Sequence, residues 1–447
     1  MQNVISAVST AKGVGGVAII RLSGEGVFSI VEKMFKPLQK ISVKDFEPYK
    51  LYVGEIDGGD FKDFGMCVVF KAPKSYTGED MAEFHCHGGV AITEGILKRT
   101  FYYGAEPATR GEFTKRAFVN GKLSLDSAEG LIGMINSESA AAVKISYNLY
   151  REKLYNAINR VQDELTYSLA SIDADIDYPE EGLEEIALDK VISALNGAKD
   201  EISGLIKRYG GAKLVKNGVK VAIVGKPNTG KSSLLNALLS LDKAIVSNVP
   251  GTTRDVVEGS TDINGVKFDF YDTAGIREAA DEIEKIGIDR SRKILNSADV
   301  IIAAFDLSRA EDNEDKEILD LIKDRNAVKV YNKSDAALKS GDIKNDGIII
   351  SCKTGEGLEK LKNELYARAF GEGVDLNAEL ITEERHLVAL KKAEKYVDEA
   401  LLNVGAAPLD LIGEDIKKVW STLGEITGKV ASEDIIDEIF SKFCVGK

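Results

Sequence analysis

The sequence lacks the features that mark membrane, secreted and zinc-stabilised proteins. No apolar run approaches the roughly 20 residues that a membrane-spanning helix needs. The four cysteines are scattered at Cys67, Cys86, Cys352 and Cys444, with no C-x-x-C pair, which argues against a disulfide framework and a structural zinc site. No basic start precedes an apolar run near Met1, so no signal peptide is expected. These absences together predict a cytoplasmic protein.

Positive charge is scarce as well. The chain carries 58 basic and 72 acidic residues, for a net charge of −14, whereas proteins that wrap nucleic acid are usually basic. One local basic stretch runs from Lys98 to Lys122, and its charge alone favours a solvated surface. Any contact with RNA must therefore use a local patch, a partner subunit or a pocket for a single nucleotide.

The order of residue patterns predicts a multidomain α/β protein. Residues 1–120 mix short β-rich runs with helical stretches, which indicates a small α+β domain. Helical spacing fills residues 121–212 and returns in residues 379–447. Between them, residues 213–378 alternate strands with helices, the pattern of a doubly wound, mostly parallel sheet. An α/β domain can be inserted in a loop of another domain, so we predict one discontinuous helical domain interrupted by this sheet.

The segment "VAIVGKPNTGKSSLLNALL" contains the pattern G-x-x-x-x-G-K-S between a strand and an amphipathic helix. Gly225 and Gly230 let backbone N–H groups close around phosphates, and the helix N-terminus offers unsatisfied donors to the anion. Lys231 is expected to reach the β- and γ-phosphates, and the Ser232 hydroxyl to bind Mg²⁺. Ser233 belongs to the same predicted phosphate site.

Three further motifs follow strands in the order typical of GTPases. "DTAG" supplies a carboxylate for the Mg²⁺ shell and a glycine N–H for the γ-phosphate. "NKSD" supplies Asp335, which can accept two hydrogen bonds from guanine but none in that arrangement from adenine. "SCKTG" can present a backbone N–H to the guanine O6. Ligands in such sheets bind at the carboxyl ends of the strands, so the motifs predict a GTPase. The residues expected at the nucleotide are Asp272, Gly275, Asn332, Lys333, Asp335, Ser351, Cys352 and Lys353.

The position that orients water in Ras-type enzymes is here Ile276, which cannot hydrogen-bond water. Another arrangement must support hydrolysis. Asn228 offers an oxygen close to the phosphates, and a monovalent cation held there would supply positive charge. The first switch, "VSNVPGTTRD", offers the hydroxyls of Thr252 and Thr253, one of which is expected to complete the Mg²⁺ shell.

Four segments together resemble the MnmE (TrmE) family of tRNA-modification GTPases. They are "SYTGEDMAEFHCHGG", "GEFTKRAFVNGKLSLDSAE", "DTAGIREAADEIEKIGIDRS" and the final "IFSKFCVGK". The resemblance covers the chain in order, although "AKGVGG" stands where the family often has Pro-Gly-Arg-Gly-Gly. It implies an N-terminal folate-binding and dimerisation domain, a discontinuous helical domain and an inserted Ras-like P-loop G domain.

The resemblance also assigns ions and catalytic groups. It implies that Ser232 and Thr253 hold Mg²⁺. It implies that Glu284 helps to position the attacking water, although composition alone also allows a solvated helix face for that residue. The implied potassium ligands are Asn228, Ser247, Val249 and Thr252.

A second site is implied in the N-terminal domain. Arg21, Glu83 and Lys122 match the family's folate contacts, although each also has a plain interpretation: Arg21 and Glu83 as surface or edge-strand charges, and Lys122 as a cation at the start of a helix. The C-terminal CxGK motif makes Lys447 a further folate contact and Cys444 a candidate participant in the chemistry.

The implied reaction modifies C5 of the wobble uridine of certain tRNAs, with 5-formyl- or methylene-tetrahydrofolate as cofactor. The implied partners are a second copy of the chain and an FAD-containing MnmG (GidA) protein that completes a heterotetramer. The alternative is an Era-like GTPase switch in ribosome assembly without modification chemistry. Such a switch would usually carry a basic RNA-binding module.

Overall fold

The computed structural model describes residues 3–178, 184–241, 257–272, 293–336, 346–371 and 373–447. Its contacts divide the chain into two units. The first comprises Met1–Ile132, Ile158–Leu188 and Asn403–Lys447, and the second comprises Gly133–Ala157 and Asp189–Leu402. Within the described ranges, no helix combines the length and apolar character needed to cross a membrane.

The first unit contains a seven-stranded sheet in the order β3-β4-β5-β6-β2-β1-β7. Neighbouring strands are antiparallel except β1 and β7, which run parallel. Interior strands β2 and β6 lie next to each other, and Arg21 of β2 pairs with Glu83 of β6. The strands are β1 Ile5–Val8, β2 Gly15–Ser23, β3 Phe35–Pro37, β4 Tyr52–Asp57, β5 Lys62–Phe70, β6 Met81–Gly88 and β7 Glu106–Pro107.

Period-two alternation gives this sheet two different faces. Ala18, Ile20 and Leu22 of β2 pack in a buried cluster with helices α1 (Val27–Met34) and α2 (Val90–Tyr102). The intervening residues of β2, Arg21 among them, face the opposite side. Helix α3 (Glu112–Val119) contributes the fully buried Phe113 to a smaller cluster with strand residues of β1 and β6.

Helices dominate the rest of the chain outside the second sheet. In the first unit, Leu125 and Ala128 pack with Phe440 and Phe443 from the end of the chain. The helices are α4 Leu125–Asn136, α5 Ala140–Tyr150, α6 Lys153–Asp177, α7 Glu184–Asn217, α8 Lys231–Leu241, α9 Asn313–Ile322, α10 Leu358–Phe370, α11 Glu384–Asn403, α12 Leu409–Thr427 and α13 Glu433–Ser441.

The second unit contains a six-stranded sheet in the order β13-β12-β11-β8-β10-β9. All neighbours are parallel except the hairpin β9–β10. This is the doubly wound, mostly parallel sheet that the sequence predicts. The strands are β8 Val219–Gly225, β9 Gly259–Ile263, β10 Val266–Asp272, β11 Val300–Asp306, β12 Ala327–Asn332 and β13 Ile348–Ile349.

One face of this second sheet shares its core with helices from the preceding helical segment. Ala141 and Ile145 of α5 and Val215 of α7 belong to the same buried cluster as Val221 of β8 and Phe268 of β10. The multidomain α/β fold is therefore confirmed, with helical segments before and after the parallel sheet. The exact domain boundaries at residues 120, 212 and 378 stay predictions.

Candidate nucleotide site and N-terminal site

The phosphate loop joins the end of β8 to the start of α8. A side chain at Gly225 would place its Cβ 2.5 Å from the carbonyl oxygen of Ala304 on β11. Gly230 has φ +91°, and a Cβ there would collide with the side-chain amide of Asn332. Gly225 is thus required by the close approach of β11 and Gly230 by its positive φ, and the loop keeps its backbone free to face a phosphate.

Inside the loop, the side chains predicted to bind phosphate and Mg²⁺ lie close together. Lys231 is 5% exposed, and its Nζ donates to the carbonyl oxygen of Lys226 at 2.8 Å. The Ser232 hydroxyl lies 3.4 Å from Oδ2 of Asp272. A hydroxyl and a carboxylate at a helix N-terminus suit Mg²⁺ because this hard cation prefers oxygen ligands. The residues present therefore fit a magnesium nucleotide.

The "NKSD" motif supports the loop from the end of β12. The Asn332 side-chain amide donates to the carbonyl oxygen of Thr229 at 3.0 Å. Lys333, with φ +70°, donates from Nζ to the carbonyl oxygen of Asn228 at 2.8 Å and to Asp306 at 2.6 Å. Burial opposes ionisation of Asp306, but hydrogen bonds from Lys333 and Ser308 lower the pKa of its carboxyl below the ordinary value.

The two motifs predicted to bind guanine also meet. Oδ1 of Asp335 accepts a hydrogen bond from the Ser351 hydroxyl at 2.7 Å, and this bond lowers the pKa of the Asp335 carboxyl. The backbone N–H of Cys352 donates to the Asn332 side chain at 3.2 Å, and Lys353 lies 3.9 Å from Asp335. Asp335 is thereby held ionised as an acceptor for a base carrying adjacent N–H donors.

Some predicted groups lie outside the described residues, so their placement stays a prediction. Asn228 is described: it is exposed, with φ +65°, a conformation that asparagine tolerates better than most residues. The predicted residues outside the described ranges are Ser247, Val249, Thr252, Thr253, Gly275, Ile276 and Glu284.

Glu258, which sequence reasoning missed, lies at this site. Burial and the charge of Asp272 raise the pKa of its carboxyl, while the backbone N–H of Asp272 donates to it and lowers the pKa in part. The pairing of β9 with β10 brings Glu258 back beside the end of β10, where its N–H donates to Phe270. No local motif marks Glu258, because an acidic residue before a strand usually indicates a solvated turn.

In the first unit, Arg21 and Glu83 form a largely buried ion pair on two interior strands. Nε of Arg21 donates to Oε1 of Glu83 at 2.9 Å, and their side chains are 18% and 13% exposed. Nε2 of His85 lies 3.3 Å from the other Glu83 oxygen. Burial opposes ionisation of Glu83, but His85 and Arg21 lower the pKa of its carboxyl. The interpretation as edge-strand charges is therefore wrong.

Two aromatic rings flank the same guanidinium. The Cζ atom of Arg21 lies 5.5 Å from the ring centre of Tyr76 and 5.8 Å from that of Phe113. Lys122, predicted to share this site, donates from Nζ to the carbonyl oxygen of Pro73 at 2.9 Å. Lys122 follows α3 and is exposed, so its ammonium stays open to an anionic group.

The C-terminal tail is attached to the first unit rather than frayed. Phe443, 2% exposed, lies just beyond the end of α13. Val445 forms an antiparallel bridge with Arg110, and the Ser9 hydroxyl donates to the carbonyl oxygen of Gly446 at 2.9 Å. Cys444 is exposed, whereas its carbonyl oxygen accepts from Gly111.

Gly446 explains how closely the tail approaches β1. It has φ +96°, and a Cβ there would collide with the carbonyl oxygen of Val8. The preceding residue of β1, Ala7, is the register partner of Arg21. The tail therefore lies beside the strand position that neighbours the Arg21–Glu83 pair.

Cys67, Cys86 and His87 have ordinary structural roles. Cys67 and Cys86 are buried, and burial raises the pKa of the Cys86 thiol to about 11. Nδ1 of His87 lies 2.6 Å from Asp63. Within the described ranges, no group of three or more His, Cys, Asp and Glu side chains is arranged to hold a metal ion.

Comparison with known proteins gives matches over the entire chain. The model described as the MnmE helical domain matches residues 125–444, and that of the GTP-binding protein TrmE N-terminus matches residues 4–122. The tRNA modification GTPase MnmE of Clostridioides difficile (strain 630) is 37% identical, covering 100% of both chains. The protein of that name from Thermoanaerobacter pseudethanolicus (strain ATCC 33223 / 39E) is 38% identical over 99% of both chains.

Solved structures match over a smaller part. Era of Aquifex aeolicus bound to GDP and AlF4− is 30% identical to this chain, covering 40% of it and 66% of the Era chain, with a TM-score of 0.27.

Proposed function

The chain belongs to the MnmE family of tRNA modification GTPases, and from this premise we propose a potassium-activated GTPase that modifies the wobble uridine of certain tRNAs. The proposed reaction adds an aminomethyl or carboxymethylaminomethyl group to C5 of that base. A tetrahydrofolate supplies the one-carbon unit, and an FAD-containing MnmG-type protein acts jointly with this chain. One observation carries the proposal: the chain combines a nucleotide site with a second polar site to which its own C-terminus is attached.

Each group of the nucleotide site has a role that follows from its contacts. The Lys231 ammonium would exchange the carbonyl oxygen of Lys226 for phosphate oxygens, and Asp335 would accept from the N–H edge of guanine. Ser232 and Asp272, with Thr253, would hold Mg²⁺. Bound Mg²⁺ neutralises charge on the phosphates. Glu284 would orient the attacking water in place of the glutamine that Ile276 replaces.

Potassium is proposed as the source of the remaining positive charge. Asn228 is the described member of its ligand set, which also includes Ser247, Val249 and Thr252. The exposure of Asn228 and the Lys333 hydrogen bond that fixes its carbonyl support a site at this corner of the loop. When bound, the cation supplies the charge that an arginine finger supplies in other GTPases.

The N-terminal site has the chemistry expected for a tetrahydrofolate. The Glu83 carboxylate can accept from the N–H edge of a pterin, and the partly exposed Tyr76 offers apolar surface on the same side of the sheet. The exposed Lys122 ammonium and Lys447 at the chain end suit the carboxylates of the folate glutamate. The Gly446 contact with β1 supports this assignment because it holds the tail, including Cys444, near the same strands.

A homodimer through the N-terminal domains is proposed from the open face of the first sheet. Phe64 is 54% exposed and Val53 is 43% exposed. Val53 pairs with Met66, and Met66 pairs with His85, so these residues share one face with the Arg21–Glu83 pair. Exposed apolar side chains grouped on one face are typical of interfaces. A second copy would cover them and enclose the folate site.

The test is nucleoside mass spectrometry of tRNA from cells that lack the gene, with and without a plasmid copy. We expect the modified wobble uridine to disappear and to return with the plasmid. Intact modification in the deletion strain would contradict the proposal and favour an Era-like switch.

We also propose a cytoplasmic location. The four cysteines are free thiols, and free thiols fit a reducing compartment.

A further inference from the structure

The phosphate loop contains two lysines with different surroundings. Lys231 bonds to the loop itself, through the carbonyl oxygen of Lys226. The side chain of Lys226 instead leaves the loop and forms an ion pair with Asp312. It is 13% exposed and also lies 3.7 Å from Glu314 and 3.9 Å from Asp315. The side chain of Lys226, the first residue after Gly225, is thus bound to the start of helix α9.

The partner of Lys226 belongs to a rigid helix start. Asp312 is the N-cap of α9 and accepts from the backbone N–H groups of Glu314 and Asp315, while Asp315 accepts from the N–H of Asp312. Asp315 is 2% exposed, and Arg309 bonds to both its oxygens at 3.0 and 3.1 Å. A capping box with a bidentate arginine leaves this carboxylate cluster little freedom to move.

We propose that Lys226 is a positioning residue of the GTPase, which ties the start of the phosphate loop to the N-cap of α9. The carbonyl of Lys226 accepts from the Thr229 hydroxyl inside the loop, so fixing Lys226 also fixes the loop interior. Lys333 holds the loop further along, at Asn228. The loop is therefore held from two sides, by β12 and by α9, in the shape that receives phosphates.

A competing role for Lys226 is direct attraction of the phosphates. The two roles give opposite results when Asp312 is changed to asparagine. Asparagine caps a helix about as well as aspartate, so α9 keeps its start while Lys226 loses the nearest of its three anionic neighbours. If Lys226 positions the loop, Asp312→Asn weakens nucleotide binding. If Lys226 attracts phosphate, the freed ammonium makes Asp312→Asn bind more tightly.

The test is a double-mutant cycle on the full chain with fluorescent GTP and GDP analogues. We expect Lys226→Met to weaken the binding of both nucleotides by about fivefold to tenfold, the range of the net contribution of one ordinary hydrogen bond. Asp312→Asn should act in the same direction, and the double variant should be no weaker than Lys226→Met alone. Lys226→Arg, which can also reach Asp312, should restore affinity to near the wild-type value.

Lys329→Met is the matched control, since it removes another lysine–aspartate pair of the second unit, with Asp346. It should leave nucleotide affinity unchanged. The thermal midpoint of each nucleotide-free variant shows whether it is folded. Tighter binding by Asp312→Asn, additive losses in the double variant, or equal losses in the Lys329→Met control would each overturn the proposal.

Discussion

The phosphate loop lies within the continuous segment from Gly225 to Ser232, whereas the N-terminal site is joined by a hydrogen bond between residues 437 positions apart, Ser9 and Gly446. In the loop, backbone N–H groups are the expected ligands, so a short pattern of glycines determines the site. In the N-terminal site, side chains from separate strands and the chain end must be brought together by folding. A site built from backbone groups can therefore be predicted from a short stretch of sequence, whereas a site built from distant side chains cannot.

The largest expected effect separates the two regions completely. Deleting Cys444–Lys447 should abolish tRNA modification while GTP hydrolysis survives, because the tail contacts Ser9, Arg110 and Gly111 in the first unit. Gly446→Ala should act in the same direction, since its Cβ would collide with Val8. Parallel assays of phosphate release and modified nucleoside check this. Full modification by the deletion variant would make the tail a dispensable end.

The reciprocal change affects the nucleotide region alone. Asp335→Asn should weaken GTP binding by about a hundredfold, because an NH2 group replaces one of the two acceptor oxygens and the negative charge is lost. The fold should remain intact, since Asp335 is partly exposed. Xanthosine triphosphate, whose base replaces the 2-amino group with a carbonyl, is the matched control and should bind the variant better than GTP does. Unchanged GTP affinity would remove Asp335 from the guanine assignment.

Replacing sodium with potassium tests whether the phosphate loop uses a monovalent cation, which the G-x-x-x-x-G-K-S pattern itself does not indicate. GTP hydrolysis should rise at least about tenfold when sodium is replaced by potassium at constant ionic strength, because one electrostatic catalytic group contributes about 10²- to 10³-fold. Asn228→Ala should remove the difference between the two salts. Equal rates of the wild-type protein in both salts would rule out the cation mechanism.

The smallest effect concerns stability in the N-terminal region. The folded-state pKa of Glu83 is lowered, so its contribution is present above the ordinary glutamate value of 4.5 and is lost as pH falls below it. Glu83→Gln should cost about 2 kcal/mol near neutral pH, since Arg21 is left largely buried without its partner. The cost should shrink in acid. Urea unfolding at pH 7 and pH 4 measures both values, and a cost independent of pH would contradict this account.

Much of the fold and of the nucleotide site could be predicted from sequence. Alternating strands and helices predict the parallel sheet, and the loop motif lies between β8 and α8 as expected. Glu258 was missed because the β9–β10 hairpin, rather than any motif, returns it to Asp272. Lys226 was missed because its partner Asp312 lies beyond β11. Such contacts depend on which strands become neighbours.

The Arg21–Glu83 pair could not be predicted from local sequence patterns. Arg21 and Glu83 could be predicted as site residues only from the family resemblance, because isolated charges in β-rich segments are usually exposed. Their burial follows from the strand order, which places β2 next to β6 in the interior of the sheet. A one-residue change in register would move both side chains to the other face.

The sequence by itself determined that this chain has a phosphate loop followed by the motifs of a GTPase, because the residues of each motif act within a few positions of one another. It also determined the family, through segments spread over the full length. The tertiary structure alone decided that the last residues contact β1, that Arg21 and Glu83 form a buried pair, and that Lys226 bonds to the start of α9. These depend on long-range pairing, where each side chain's partner is set by packing rather than by position in the chain.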